Sequence, residues 1–244
     1  MARNRTFKKP NYLPHMTRNI AIVLAGGTGS RMGANCPKQF LQLAGRTVLE
    51  HSVGTFAQHP LIDEVAVVLD PQYHDEVRRC FDRHGWDKVR QLLPGGAQRS
   101  DSSLSAIRAF AGREVNLIFH DAARPLVSPR IITDVCEALR SHEAVGVGIP
   151  SVDTLMEVKD GFMVRVPDRS LMQRMQTPQA FRLAVIEEAY RKALADPQFR
   201  ATDDCGVVLH YLPQIPIYIV EGEERNLKLT YADDLPQLER LAAR

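Results

Sequence analysis

The chain has 244 residues, 44% of them hydrophobic and 25% charged, an ordinary balance for one α/β domain with a large buried core. Its formal net charge of +2 is unevenly spread. Arg3, Arg5, Lys8, Lys9 and Arg18 precede Ile20 with no acid among them, so the remainder is slightly acidic, which argues against a nucleic-acid surface. Cys36, Cys80, Cys136 and Cys205 form no CxxC pair, so their spacing suggests neither zinc nor a secreted disulfide framework, and no apolar run approaches a membrane span.

Residues 1–18 read as a flexible basic extension without the apolar stretch of a secretory signal, and residues 19–244 as a single domain. Reduced thiols in the cytoplasm are the default expectation. The first element is a buried parallel strand over Ile20 to Ala25. It runs into LAGGTGSRMGANCPKQ (Leu24 to Gln39), where Gly26, Gly27, Gly29 and Gly33 surround Arg31 and Lys38. Without Cβ atoms, successive backbone N–H groups can converge on an anion, and two fixed cations suit a polyphosphate that gains charge during reaction. The Walker pattern fails, because Lys38 is followed by Gln39. A dinucleotide fingerprint fits Gly27, Gly29 and Gly33 only out of register. The bland alternative is a tight connection between strand and helix; the cations favour the phosphate reading.

Helical patterns follow at Val48 to Ala57, Tyr73 to His84, Ser102 to Phe110 and Pro129 to Arg140. Strand patterns at Glu64 to Leu69, Val89 to Leu93, Asn116 to Phe119 and Ala144 to Ile149 alternate with them, which predicts a mostly parallel sheet covered on both faces. After the second of these strands, Gly95-Gly96-Ala97-Gln98-Arg99-Ser100-Asp101-Ser102 places glycines and then hydroxyls at a helix start. That arrangement lets a flat base or sugar come close, with Ser100 or Asp101 as the helix N-cap. His120-Asp121-Ala122-Ala123-Arg124-Pro125 follows the third strand. A carboxylate at such an end can take a ribose hydroxyl or Mg²⁺, and Arg124 can fix its orientation.

Beyond Pro150 the alternation breaks. Ser151 to Arg169 has period-2 character on either side of Lys159-Asp160-Gly161, the mark of a hairpin arm suited to an interface. In Gln176 to Phe181, Pro178 is expected to set a turn and Phe181 to be buried. Helices resume at Leu183 to Leu194 and around Asp203 to Leu209, a strand at Ile217 to Val220, and a last helix at Tyr231 to Ala242. Lys228, past that strand, is a third cation able to reach the anionic site.

In series, LAGGTGSRMG…PKQF, GG…R…DS, HDAARP, DRS…QTPQAF and TDD…N-K-T resemble the cytidylyltransferases that make 4-diphosphocytidyl-2-C-methyl-D-erythritol, over about Ile20 to Leu241. The resemblance implies a Rossmann-like α/β domain and a protruding β-arm, about residues 151–176, that makes a homodimer. It also implies Mg²⁺-dependent transfer of CMP from CTP to a polyol phosphate. On this resemblance Arg31, Lys38 and Lys228 are the catalytic cations. Ala25, Gly26, Gly27, Gly96, Ser102 and Asp121 meet the nucleotide, with Asp121 also at the metal. The acceptor meets Arg124, Thr154, Thr202 and an Arg169 supplied across the dimer. Ribitol-5-phosphate cytidylyltransferases fit the motifs almost as well, and Asp204-Cys205 departs from the alanine-rich segment of many methylerythritol enzymes. A sugar-nucleotide-binding protein without turnover is the alternative of another class; a dehydrogenase is disfavoured by the poor fingerprint.

Overall fold

The structure is a computed structural model describing residues 17–27, 37–200 and 203–243. The basic extension through Met16, and Gly29, Arg31, Gly33, Cys36 and Thr202, lie outside the described residues. The first half alternates as the sequence pattern predicts: β1 (Arg18–Leu24), a small hairpin of β2 (Gln42–Leu43) and β3 (Arg46–Thr47), α1 (Val48–Ala57), β4 (Glu64–Leu69), α2 (His74–His84), β5 (Val89–Pro94), α3 (Arg99–Phe110), β6 (Val115–Asp121), α4 (Pro129–Ala138) and β7 (Ala144–Pro150). The second half holds β8 (Glu157–Lys159), β9 (Phe162–Arg165), β10 (Gln173–Arg182), α5 (Leu183–Leu194), α6 (Asp204–Tyr211), β11 (Ile217–Glu221) and α7 (Asp234–Ala242).

Seven strands form one sheet in the order β11-β7-β10-β6-β1-β4-β5. All pairings are parallel except those of β10, which runs antiparallel to both β6 and β7. The chain builds outward from β1 to β4 and β5, then returns to place β6 on the other side of β1. That reversal opens a crevice at the carboxyl ends of β1 and β6, where ligands collect in open parallel sheets. Alternation along β1 feeds both faces: Ala21 and Val23 join the core under α1, α2 and α4, while Ile20, Ile22 and Leu24 join the core under α3, α5 and α6.

Three local readings are corrected. The segment around Pro178 is no turn but the middle of β10, buried from Gln176 to Phe181. Proline has no N–H for a ladder, and the pairing with β7 shifts register between Gln176 and Ala180, so the strand passes the proline by an irregularity. Helix α3 starts at Arg99, with Gln98 as N-cap rather than Ser100 or Asp101. Asp101 instead reaches back to accept from the Gln98 N–H at 2.9 Å. Helix α7 begins at Asp234, because the Asp234 carboxylate binds the N–H groups of Thr230 and Tyr231 and holds those residues in a turn.

The expected hairpin is present. Asp160 and Gly161 both have positive φ (52° and 84°) between β8 and β9, as a two-residue turn requires. Every residue of β8 and β9 is exposed, including Phe162, Met163 and Val164. No helix among the described residues is long and apolar enough to cross a membrane.

Candidate active site

At the crevice lies a cavity of about 300 Å³ lined by Ala25, Gly26, Gly27, Lys38, Gly96, Ser102, Asp121 and Lys228, together with Gln39, Arg99 and their neighbours. Thus the described residues expected to hold the nucleotide and its phosphates come from four separate stretches of chain and meet in one place. Backbone hydrogen bonds fix the rims. Ala25 N donates to Val68 O (2.7 Å), Gly95 N to Leu69 O (2.8 Å) and Ala122 N to Leu24 O (2.9 Å), so the strand ends stay paired into the loops. Gln39 braces the first loop from below, donating from Nε2 to Ala25 O at 2.9 Å.

The glycines at the wall are required by close approach. A Cβ on Gly26 would stand 2.9 Å from Ser102 Oγ, and one on Gly96 would lie 2.1 Å from Asp101 Cβ. Ser102 Oγ accepts from the Gly96 N–H at 3.3 Å, which ties the second glycine turn to the first turn of α3. Gly27, also at the wall, has nothing within 4 Å of where a Cβ would stand, so its side is open to a ligand.

Asp121, the last residue of β6, is 8% exposed and carries the densest charge contacts of the cavity. Lys228 Nζ lies 2.6 Å from Oδ2 and Arg99 Nε 3.2 Å from Oδ1. Burial pushes the Asp121 pKa up, but Arg99 and Lys228 outweigh it and hold the carboxyl below the usual carboxylate range. Arg99 is itself gripped from behind by Asp204, fully buried, at 2.7 Å. Asp204 also accepts from the Tyr190 hydroxyl at 2.7 Å, and its N–H donates to Gln179 Oε1 at 3.0 Å. One further guanidinium nitrogen, Arg99 Nη2, is buried without a hydrogen-bond partner among the described residues. Arg99 stood inside a recognised motif without an assigned role. Its partners are 22 and 105 residues away in sequence, so no local pattern could pair them.

The position of Asp121 is set by a relay of neutral groups. Its N–H donates to Thr177 Oγ1 at 3.2 Å; the Thr177 hydroxyl faces His120 Nδ1 at 3.0 Å; His120 Nε2 faces Arg124 O at 3.0 Å. The chain closes with one proton per link if Nε2 carries the ring hydrogen and Nδ1 accepts. Burial keeps His120 neutral, with a pKa lowered to about 4. Arg124 in turn donates to Asn226 O (2.7 Å) and Met175 O (3.3 Å), joining the β6 end to the start of β10 and to the segment carrying Lys228. That segment is laid along the β6 end by Leu229 N to Ala123 O (2.8 Å), and Lys38 Nζ donates to Leu229 O at 3.2 Å. Two lysine ammonium groups are thereby brought to one wall.

The acceptor-side residues are placed differently. Arg124 lies behind the cavity wall, while Thr154 and Arg169 are exposed on the hairpin arm and do not line the cavity of their own chain. Asp204 and Cys205, the departures in sequence, face inward: Asp204 holds Arg99, and Cys205 packs in the core beneath α5 and α6.

Comparison with known proteins gives the family and the fold. The family model described as IspD, 2-C-methyl-D-erythritol 4-phosphate cytidylyltransferase, matches residues 19–243. A 2-C-methyl-D-erythritol 4-phosphate cytidylyltransferase of Thermobifida fusca is 50% identical, covering 92% of this chain and 93% of that one. A bifunctional ribulose 5-phosphate reductase/CDP-ribitol pyrophosphorylase of Haemophilus influenzae is 40% identical, covering 89% of this chain and 47% of that longer protein. Among solved structures, the 4-diphosphocytidyl-2C-methyl-D-erythritol synthase of Anaerococcus prevotii superimposes with a TM-score of 0.83 at 27% identity, covering 93% of this chain and 97% of that one. The 2-C-methyl-D-erythritol 4-phosphate cytidylyltransferase of Thermus thermophilus superimposes with a TM-score of 0.72 at 31% identity, covering 91% and 98%. By sequence and by fold, the chain belongs to the 2-C-methyl-D-erythritol 4-phosphate cytidylyltransferase family.

Proposed function

We propose that the chain transfers CMP from CTP to 2-C-methyl-D-erythritol 4-phosphate, releasing pyrophosphate and forming 4-diphosphocytidyl-2-C-methyl-D-erythritol, a step of isoprenoid precursor synthesis. The carrying observation is the convergence of Lys38, Lys228 and Asp121 with two glycine turns at the carboxyl ends of parallel strands, in a chain half identical to a relative of that name. An acceptor phosphate oxygen attacks the α-phosphorus, and the bond from that phosphorus to the bridging oxygen breaks as pyrophosphate leaves. The acceptor oxygen is already anionic at neutral pH, so no side chain has to remove a proton. Catalysis then rests on alignment and on offsetting the repulsion between anionic partners. Lys38, Lys228 and Arg31 supply that offset, while Gly26, Gly27, Gly96 and Ser102 seat the base, ribose and phosphates.

Asp121 suits a divalent cation: it is a hard oxygen donor kept ionised by Arg99 and Lys228. Mg²⁺ carried by the triphosphate would be held there and would neutralise phosphate charge. The acceptor contacts Thr154, Thr202 and Arg124, with Arg169 entering from a second copy, because the arm is too exposed to be at rest in a lone chain. The functional unit is thus a homodimer of single-domain chains, residues 19–244, working in the cytoplasm.

The Haemophilus relative keeps ribitol 5-phosphate as the second acceptor to test. A binder without turnover is disfavoured by the convergence of cations on the phosphate wall. Pyrophosphate release is measured with CTP, Mg²⁺ and either acceptor. Methylerythritol phosphate should be turned over with kcat/KM at least tenfold above ribitol 5-phosphate. The reverse ranking would reassign the acceptor, and silence with both would leave only nucleotide binding.

A further inference from the structure

Away from the cavity, α1 and α2 meet through three side chains with the chemistry of metal ligands. Glu50 lies in the first turn of α1; Cys80 and His84 are one turn apart on α2 and share a face. Glu50 Oε1 accepts from Cys80 Sγ at 3.0 Å and faces His84 Nε2 at 2.8 Å. One donor atom from each residue lies within 4.8 Å of the others. Groups behind them fix the aim. Glu50 Oε2 is held by the N–H and the hydroxyl of Thr47, both at 2.7 Å, and the His84 ring stacks on Trp86 with centroids 4.3 Å apart and planes 11° from parallel.

We propose that Glu50, Cys80 and His84 form a binding site for a zinc-class divalent cation that clips α1 to α2, separate from the catalytic cavity. Thiolate, imidazole and carboxylate together are the donor set of zinc and its neighbours, whereas magnesium takes oxygen donors only. Zinc–ligand bonds of about 2.0–2.3 Å in a tetrahedron put the donors roughly 3.2–3.8 Å apart, so Glu50 Oε1 need part from Cys80 Sγ and His84 Nε2 by less than about 1 Å. All three residues are half-buried, which leaves a fourth position open to water. The Oε2 bonds to Thr47 supply the outer support that metal-binding carboxylates generally have. On binding, Cys80 loses its S–H proton to solvent and coordinates as thiolate. His84 gives up to solvent the Nε2 hydrogen that donates to Glu50 in the resting site, carries its ring proton on Nδ1 instead, and offers the Nε2 lone pair. Burial and Glu50 push the free thiol up to about 11, Arg83 pulls the other way, and the cation completes the ionisation. With no cation the three side chains satisfy one another by hydrogen bonds, which keeps the site assembled.

The test is a titration of the untagged, chelator-treated full chain with Co²⁺, read by sulfur-to-cobalt charge-transfer absorption. One equivalent should saturate the band, Zn²⁺ should abolish it, and excess Mg²⁺ should leave it intact. Cys80→Ser should lose the band, and His84→Gln should weaken cobalt binding at least tenfold. Glu50→Gln, which keeps an acceptor for the Thr47 cap, should weaken it at least tenfold too, and it carries the test if Cys80→Ser does not fold. No band in the unaltered chain overturns the proposal. So does a band that survives in Cys80→Ser, since another cysteine would then be the ligand, and so does unaltered affinity in both His84→Gln and Glu50→Gln.

Discussion

The cavity and the hairpin arm are built on opposite principles. In the cavity Asp121 and Arg99 have opposite charges within 3.2 Å, Asp204 backs Arg99, and Gly26 and Gly96 pack tightly against the start of α3. In the arm, Phe162 is 76% exposed, Met163 64% and Val152 68%, with no side of the hairpin covered. Among the described residues, the first region is knit together within one chain; the second is an unburied apolar surface of a kind that marks an interface. The difference teaches that the charged cavity is organised by contacts within a single chain, whereas the proposed acceptor contacts from the arm would wait on assembly.

The comparison is broken most severely at Asp121. Asp121→Asn leaves Arg99 and Lys228 facing each other without their shared carboxylate, so about 3 kcal/mol of stability should go and turnover should collapse. Urea unfolding and a pyrophosphate assay check both; a variant with unchanged stability would mean that the ionic chain is not a structural unit. Lys38→Ala comes next, with a fall in kcat on the order of 10²-fold, equivalent to about 2.7 kcal/mol, while CTP affinity changes less. Normal turnover at saturating CTP would remove Lys38 from the chemistry.

A smaller effect separates the buried relay from solvent-exposed charge. His120 is held at a pKa of about 4 in the folded chain against 6.5 when exposed, so the unfolded chain binds more protons between those values. Stability should therefore fall as pH drops through that window, by at most about 1.4 kcal/mol per pH unit for one such proton. His120→Gln should flatten the slope of unfolding free energy between pH 6.5 and 5. His59, lowered in the same direction by burial, leaves a residual slope. Glu50 acts in a different window: burial is outweighed by bonds from His84 and Cys80, and its pKa near 2 makes its contribution constant above about pH 4.5. The least effect on folding belongs to the arm. Phe162→Glu with Met163→Glu should change the stability of the isolated chain by less than about 0.5 kcal/mol, yet turn the proposed dimer into monomer in sedimentation. An unaltered sedimentation coefficient would move the interface elsewhere.

Much of this was legible in the residues. Val48–Ala57, Glu64–Leu69 and Leu183–Leu194 have the predicted ends, because periodicity and propensity agree there, with a capping box at Thr47 for the first. The cavity residues were legible as separate motifs, since strand ends and glycine turns are local features. What stayed hidden is non-local. Gln176, Thr177, Pro178 and Gln179 look like a turn until their partners appear: Glu223 and Asn226 for Gln176, Asp121 and His120 for Thr177, the start of α6 for Gln179. Buried polar residues are satisfied by remote groups that a window of sequence cannot contain. The grip of Asp204 on Arg99 escaped for the same reason.

Strand β10 joins the two regions that were contrasted above. Its exposed start, Gln173 to Met175, is the root of the arm, and Thr177, two residues further on, receives the N–H of Asp121. The strand behaves like a beam clamped at the cavity with its free end in the hairpin arm. If the arm pairs with a second copy as proposed, stiffness gained there would reach the backbone of Asp121 within two residues. Assembly would then be felt as affinity for CTP, and dilution of the protein as its loss.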